Sequence, residues 1–488
     1  MSNVNLVEKI GLHKQIKHFI IIAAIIVFFW VCPPLHPELT PMGMKLIGLI
    51  IACCYGWTFV EFFWPTIIAF SLLPFTGACT YETLLAASFG NYLILFLMFI
   101  LMMSVLLEES GLIKFIANWL ISRKFVEGRP WVLIFILMFA AAVCTALCLN
   151  VFLVLFLFWG IVIGILETCG YKPKEKISVM LITAICCGSM CGYMIFPYGG
   201  IVVILLSGVK GIMNVDVPYA LYMAFSIPIG MLTLVVFWAI LRFVFRPDVS
   251  LLKKFDPSTI PPADLVFSKK AKIVAADLAV FIILVVLSTL LPADNALRIA
   301  INQIGMPGLL AFVMLPLMFV TVDGKKVWDL GHTYSKGVQL DILLICAFVI
   351  PMGNYMSSDE AGISNFFLAI LQPITENLSP FAVTIILALA SMFLTQFMAN
   401  VVACYMFLPM IFALSTAMGF DPVVPSVITI YAAHIAIVLP AASGYAALTH
   451  AHPWATSSGV MKYGSGFLLT GFIVAIVAYF YASMIFGA

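Results

Sequence analysis

Residues 395–410 read TQFMANVVACYMFLPM, a stretch without a charge whose polar side chains gather at Thr395, Gln396 and Asn400. Its first seven residues, TQFMANV (395–401), match TALCLNV (145–151) in the first half of the chain. A second pair of short stretches repeats in the same order, EESGL (108–112) and DEAGI (359–363). Gly111 precedes Asn150 by 39 residues and Gly362 precedes Asn400 by 38, so the spacing repeats along with the residue types. One such match is within the reach of chance in a biased composition. Two in order, at equal separation, mark an internal duplication.

Composition sets the medium. Of 488 residues, 64% are hydrophobic and 9% charged, and the mean hydropathy is +1.16. Uncharged apolar runs of about 20 residues, enough to cross ~30 Å of hydrocarbon, recur throughout. Backbone groups in lipid are satisfied within helices, so the expectation is an all-α membrane bundle with the lipid bilayer as its solvent. The first run, 17–32, follows Lys14, Lys17 and His18 and lacks a small-residue cleavage pattern, so it reads as a retained helix. The net charge of +2 gives no reason to expect nucleic acid as a partner.

About eleven spans are expected, near 17–32, 44–59, 62–76, 88–107, 178–207, 219–245, 275–291, 307–320, 339–356, 423–449 and 463–486. The uncharged runs 130–166 and 377–420 are too long for one span and short for two. Each reads as a re-entrant hairpin of two half-length helices meeting at a tip inside the protein. A polar stretch at 246–274 separates repeat 1 (43–245) from repeat 2 (275–488), with 1–42 as an N-terminal addition carrying the first helix. Cytoplasmic loops are enriched in Lys and Arg. With the N-terminus inside and the C-terminus outside, as in a multi-pass plasma-membrane protein, only Lys45, Lys210 and Arg298 of the 24 basic residues lie off the cytoplasmic side. The two halves then begin on opposite sides of the membrane. The repeat is inverted, an organisation common among secondary transporters that bind at the midplane.

An asparagine amide offers two donors and an acceptor, so at a hairpin tip its oxygen can face a cation and its nitrogen an anion. Helix N-termini favour anions, and unwound carbonyls favour small cations. Thr145 and Thr395, each five residues before its asparagine, are placed to add a hydroxyl. Interhelical hydrogen bonding explains a lone asparagine as well; the repeated Thr-x4-Asn-Val pattern favours a binding site.

These features resemble the divalent anion:sodium symporter family of the wider ion transporter superfamily: a helix, the EESGL segment, a hairpin with an asparagine tip, a broken helix and a mid-chain linker. The resemblance runs from about residue 43 to the end. Family tips carry Ser-Asn-Thr, whereas here they are Leu149-Asn150-Val151 and Ala399-Asn400-Val401. The broken-helix turns appear as IFPYGG (195–200) and LPAASGY (439–445). The resemblance implies sodium sites at Thr145, Leu149 and Asn150 and at Thr395, Ala399 and Asn400. It implies substrate contacts at Asn150, Val151, Pro197, Asn400, Val401 and Ser443. It further implies a homodimer, with a scaffold and an elevator-like transport unit each built from both repeats. The amphipathic segments 108–124 and 358–374 would hold the scaffold in place.

His434, in YAAHIAIVLP, is an ionisable group inside an apolar run and a candidate proton or substrate site; a neutral core histidine is the alternative. Cys186, Cys187 and Cys191 read as small core residues, and His450 and His452 lie where the second broken helix ends. No metal other than sodium and no cofactor is expected. The sequence contains no HExxH, GxSxG or CxxC set, so an enzyme is not expected, and it contains no filter-like stretch of a channel. The function expected is secondary transport of a small organic anion, a di- or other carboxylate, coupled to sodium. A proton-coupled carrier, an anion exchanger using His434, or a carrier of an inorganic anion such as sulfate are the alternatives.

Overall fold

The computed structural model describes residues 2–61, 63–148, 150–197, 200–257, 265–292, 294–356, 358–375 and 377–487. It is a bundle of helices. The first half runs α1 (Ser2–Val31), α2 (Pro41–Phe59), α3 (Phe63–Leu72), α4 (Tyr81–Ser88), α5 (Tyr92–Glu109), α6 (Leu112–Ile121), α7 (Pro130–Cys148), α8 (Val151–Cys169), α9 (Lys176–Tyr193), α10 (Gly200–Met213) and α11 (Tyr219–Ile240). The second runs α12 (Lys269–Leu290), α13 (Ala296–Met314), α14 (Leu330–Gly337), α15 (Leu340–Met356), α16 (Ile363–Thr375), α17 (Pro380–Leu394), α18 (Asn400–Met418), α19 (Val423–Ala433), α20 (Gly444–Ala451) and α21 (Ser457–Phe486). A two-residue ribbon, Thr321–Val322 against Lys325–Lys326, turns through Asp323 and Gly324, both at positive φ. Among the described residues, ten helices are long and apolar enough to cross a membrane, or eleven if α14 and α15, bent by 70°, form one span.

The order of elements repeats. In each half a long helix (α5, α15) leads through a left-handed glycine, Gly111 at φ 76° or Gly362 at φ 67°, into an amphipathic helix (α6, α16). A helical hairpin follows (α7–α8, α17–α18), then a broken helix (α9–α10, α19–α20) and a closing helix (α11, α21). The expected spans 178–207 and 423–449 are thus each interrupted, the first after Tyr193 with 194–197 outside any helix and the second at 434–443. The hairpin arms differ from expectation: α7, α8 and α18 each have 19 residues and α17 has 15. The arms grow because the first turn and the last can hold polar residues; α8 continues past Glu167 to Cys169. The linker is shorter than expected for the same reason. Ser268 accepts the Ala271 amide at 3.0 Å and caps α12, so the helix starts at Lys269 and absorbs the basic residues up to Lys272. Likewise α13 begins at Ala296 rather than 307, with a kink at Gly305 (φ 70°) before Pro307.

Without a hydrophobic force between helices in lipid, close approach depends on small residues. α9 packs along α7 through Gly188 and Gly192. A Cβ on Gly192 would lie 2.0 Å from the Ala142 carbonyl oxygen, and one on Gly188 would lie 2.6 Å from that of Met138. This packing sets the depth of the first hairpin tip against the first break.

The breaks themselves expose backbone groups in a region without water, and each is stitched by buried side chains. At 434–443 the Gln396 amide donates to the carbonyls of Met392 (2.9 Å) and Ile435 and accepts from the Val438 amide at 3.0 Å. Ser443 donates to the Ala436 carbonyl at 3.1 Å, and His450 Nε2 lies 3.1 Å from that of Ile437. At the first break Tyr222 donates to the Met194 carbonyl at 3.0 Å, and Ser226 to that of Ile195.

Substitutions at two positions test this framework. Gly192→Val forces α9 off α7 and is expected to lower stability by about 3 kcal/mol, read as a drop in the melting temperature of the detergent-purified protein. Gln396→Leu keeps the volume but leaves the Ile435 carbonyl and Val438 amide unpartnered, a loss of about 2–4 kcal/mol. Gln396→Glu, which still accepts from Val438, is expected to fall between Gln396→Leu and the parent.

Candidate functional site

The two hairpin tips and the two breaks meet at one cavity of about 340 Å³. Asn150, Val151 and Phe152 reach it from the start of α8, Ala399 and Asn400 from the start of α18, Ser443, Gly444 and Tyr445 from the start of α20, and Ile201 from the start of α10. Four helices therefore turn their N-terminal first turns to the same space. The first amides of a helix have no partner within it, and the helix dipole adds about half a positive charge there. Such a cluster suits an anion before any cationic side chain is counted.

At the second tip the polar groups predicted from sequence form one connected set. Asn400 Nδ2 donates to the Tyr445 hydroxyl at 2.9 Å. Thr395 Oγ1 lies 3.2 Å from Asn400 Oδ1 and 2.9 Å from the Ala433 carbonyl oxygen. A hydroxyl carries one proton, so it cannot satisfy both acceptors at once. Three oxygens thus gather behind the cavity wall with one hydrogen among them, an arrangement suited to a small cation.

The first tip uses the same residues differently. Asn150 Oδ1 accepts the Leu153 amide at 3.1 Å and caps α8. Thr145 is fully buried, and its hydroxyl has no hydrogen-bond partner among the described residues. Leu149, the third member of the expected sodium set, lies outside the described residues.

Of the expected substrate contacts, Asn150, Val151, Asn400 and Ser443 line the cavity, as does Ala399 from the sodium set. Pro197 and Val401 do not: both are buried behind the wall, and Tyr193 and Ile201 take the place foreseen for Pro197. Thr145 and Thr395 also lie behind it rather than on it. His434 is buried, with Nδ1 2.7 Å from the Ile430 carbonyl. A carbonyl only accepts, so the proton sits on Nδ1, and Nε2 is left as a bare acceptor without a partner among the described residues. Its ring centroid is 6.2 Å from that of Tyr193, one side chain back from the cavity. His450 and His452 are engaged elsewhere: His450 Nδ1 meets Ser457 Oγ at 2.8 Å, and His452 accepts the Trp454 amide at 3.1 Å and packs on Trp159.

Sequence reasoning missed the remainder of the wall. Ser104 and Glu108 come from α5, and Lys336 and Gln339 from the bend between α14 and α15. Lys336 Nζ lies 3.1 Å from Glu109 Oε1 and 3.4 Å from Glu108 Oε1. The repeated EESGL motif contains both acids, but nothing in the sequence joins them to a lysine 228 and 227 residues away.

The family model for citrate transporters (CitMHS) matches residues 47–436 of this chain. Among curated proteins, none matches it in sequence. Of solved structures, the crystal structure of the YdaH transporter from Alcanivorax borkumensis is similar, with a TM-score of 0.58 and 14% identity over 83% of this chain and 88% of that one. At that identity the likeness is one of fold, and it is the fold of a membrane transporter. The family match covers most of the sequence and spans the first hairpin, both broken-helix entries and the second tip. The chain belongs to the citrate transporter family, within the ion transporter superfamily: a multi-pass secondary anion carrier and not an enzyme.

Proposed function

We propose that the chain carries citrate or another small di- or tricarboxylate in symport with sodium. The observation that carries the substrate class is the meeting of four helix N-termini on one cavity. Its volume falls within the range of small-molecule sites, and citrate is the substrate that names the family. Asn150, Val151, Asn400 and Ser443 present amides and side-chain donors to the carboxylates. Sodium is placed at Thr395 Oγ1, Asn400 Oδ1 and the Ala433 carbonyl, where acceptors outnumber hydrogens. A second ion is assigned to Thr145, whose unpartnered buried hydroxyl would otherwise cost free energy. The kinship with divalent anion:sodium symporters is part of this proposal and rests on the paired hairpins.

The cavity lies between two groups of elements. The hairpins and broken helices hold one side, and α5, α14 and α15 hold the other. An elevator cycle in which the first group slides past the second carries the site across the bilayer. The N-terminus is assigned to the cytoplasm and the C-terminus to the outside of the plasma membrane, with the protein assembled as a homodimer around the second group.

Uptake of labelled citrate into proteoliposomes with and without an inward sodium gradient tests the coupling; equal uptake in both removes sodium. Thr395→Val is expected to raise the sodium concentration for half-maximal uptake at least about tenfold, while Thr395→Ser stays near the parent. A proton-coupled reading is favoured by one observation, the bare Nε2 of buried His434. Under sodium coupling His434→Ala keeps the pH profile of uptake, whereas under proton coupling it flattens that profile.

A further inference from the structure

The cavity wall supplied by α5 and the α14–α15 bend contains charge, and the wall supplied by the hairpin tips contains none. Among the described lining residues Lys336 is the one cation and Glu108 the one acid. Gly337 sets their proximity. A Cβ there would come within 2.8 Å of the Leu101 carbonyl oxygen and 2.6 Å of Val105 Cγ2, so glycine allows α14 to settle on α5 and brings Lys336 to Glu108 and Glu109.

The resulting pair is suited to exchange rather than to holding the fold. The side chains of Lys336, Glu108 and Glu109 are 42%, 29% and 26% exposed. Ion pairs this open contribute about 0–1 kcal/mol. Glu109 also has His332 Nε2 at 2.7 Å, so it keeps a partner when Lys336 leaves. The other end of the site is uncharged and buried, at Asn400 and Tyr445. Four half-charges at helix N-termini amount to about two, so they match up to two carboxylates, and the third charge of a tricarboxylate calls for a full cation.

The internal repeat shows that this cation is not a requirement of the architecture. α4 ends at Ser88, followed by Phe89-Gly90, and α14 closes on Ser335-Lys336-Gly337; the two helices hold matching places, α4 against α15 and α14 against α5. Acids stand at both corresponding ends, Glu108-Glu109 and Asp359-Glu360. Lysine stands at one of these helix ends and Phe89 at the other, so the charge belongs to one repeat only.

We propose that Lys336 is the specificity-determining residue for charge: it receives a multiply charged anion at the open mouth of the cavity by exchanging Glu108 and Glu109 for the anion's outer carboxylate. Glu108 is its counter-ion in the empty site and competes with the anion. This rests on the anion-carrier reading above.

The test uses the full-length protein, titrated in detergent with citrate, succinate and acetate and assayed in proteoliposomes for KM and kcat with citrate. Lys336→Gln is expected to weaken citrate binding at least about tenfold and acetate binding less than about threefold, and to raise KM with little change in kcat. Lys336→Arg is expected to keep citrate affinity within about threefold. Glu108→Gln, which removes the competitor, is expected to tighten citrate binding severalfold, and this outcome does not depend on Lys336→Gln remaining folded. Citrate binding unchanged in Lys336→Gln, an equal loss for citrate and acetate, or no tightening in Glu108→Gln overturns the role given to Lys336. A parent protein that binds none of the three anions overturns the anion-carrier reading as well, which separates the two failures.

Discussion

An unwound backbone inside a membrane is permitted only where something other than water takes up its hydrogen bonds, and this constraint organises the molecule. The break at 434–443 releases the carbonyls of Ala433, Ile435, Ala436 and Ile437, and each meets a side chain: Thr395, Gln396, Ser443 and His450 in turn. Two of those side chains come from the hairpin tip. The tip and the break are therefore one structural unit: neither can be displaced alone without exposing polar backbone to an apolar interior. The same unit places the first turns of α18 and α20 against the cavity, so the stitching that makes the fold tolerable also orients the amides that make it useful.

A tip of this kind explains why polar residues sit within otherwise apolar sequence. Gln396 has no face on the cavity, yet its amide makes two bonds across the break, to Ile435 and Val438, and a third to Met392 in its own arm. Asn400 sits at the junction of two sets, its nitrogen toward Tyr445 and its oxygen toward Thr395. Thr395, one residue from Gln396 and five from Asn400, bridges the tip to the last carbonyl of α19. Three neighbouring polar side chains thus divide their work between satisfying backbone and composing a site.

The duplication was legible because it rests on local patterns: Gly111 and Gly362 take left-handed conformations that side chains disfavour, and Thr145, Asn150, Thr395 and Asn400 repeat at fixed spacing. The hairpins followed from uncharged run lengths, and the two interrupted helices from the family resemblance, whose turns are matched in part at Pro197 and Pro440. Their ends did not, because caps such as Ser268 let a helix include charged residues that hydropathy assigns to a linker. The cavity's charged wall was illegible for a different reason. Lys336 and Glu108 are joined by the packing of α14 on α5 across 228 residues of sequence, and each on its own reads as an ordinary surface charge. Pro197 and Val401 show the converse: the resemblance implied contacts there, but whether a residue faces a cavity or backs it depends on rotation about a helix axis that an irregular turn leaves undetermined.

Duplication supplies two copies of a scaffold, and the chemistry then diverges between them. Asn400 directs its oxygen toward Thr395, whereas Asn150 turns its own to cap α8 and leaves Thr145 without a partner among the described residues. A lysine stands in the last turn of α14 where a phenylalanine follows α4. In a carrier that exposes its site by turns to either side, strict two-fold equivalence would make the two exposures energetically alike, because the same set of interactions would form in each with the repeats exchanging roles. Unequal side chains at equivalent positions remove that degeneracy. The repeat accounts for the geometry of the site, and its departures from symmetry are where a difference in free energy between the two exposures has to reside.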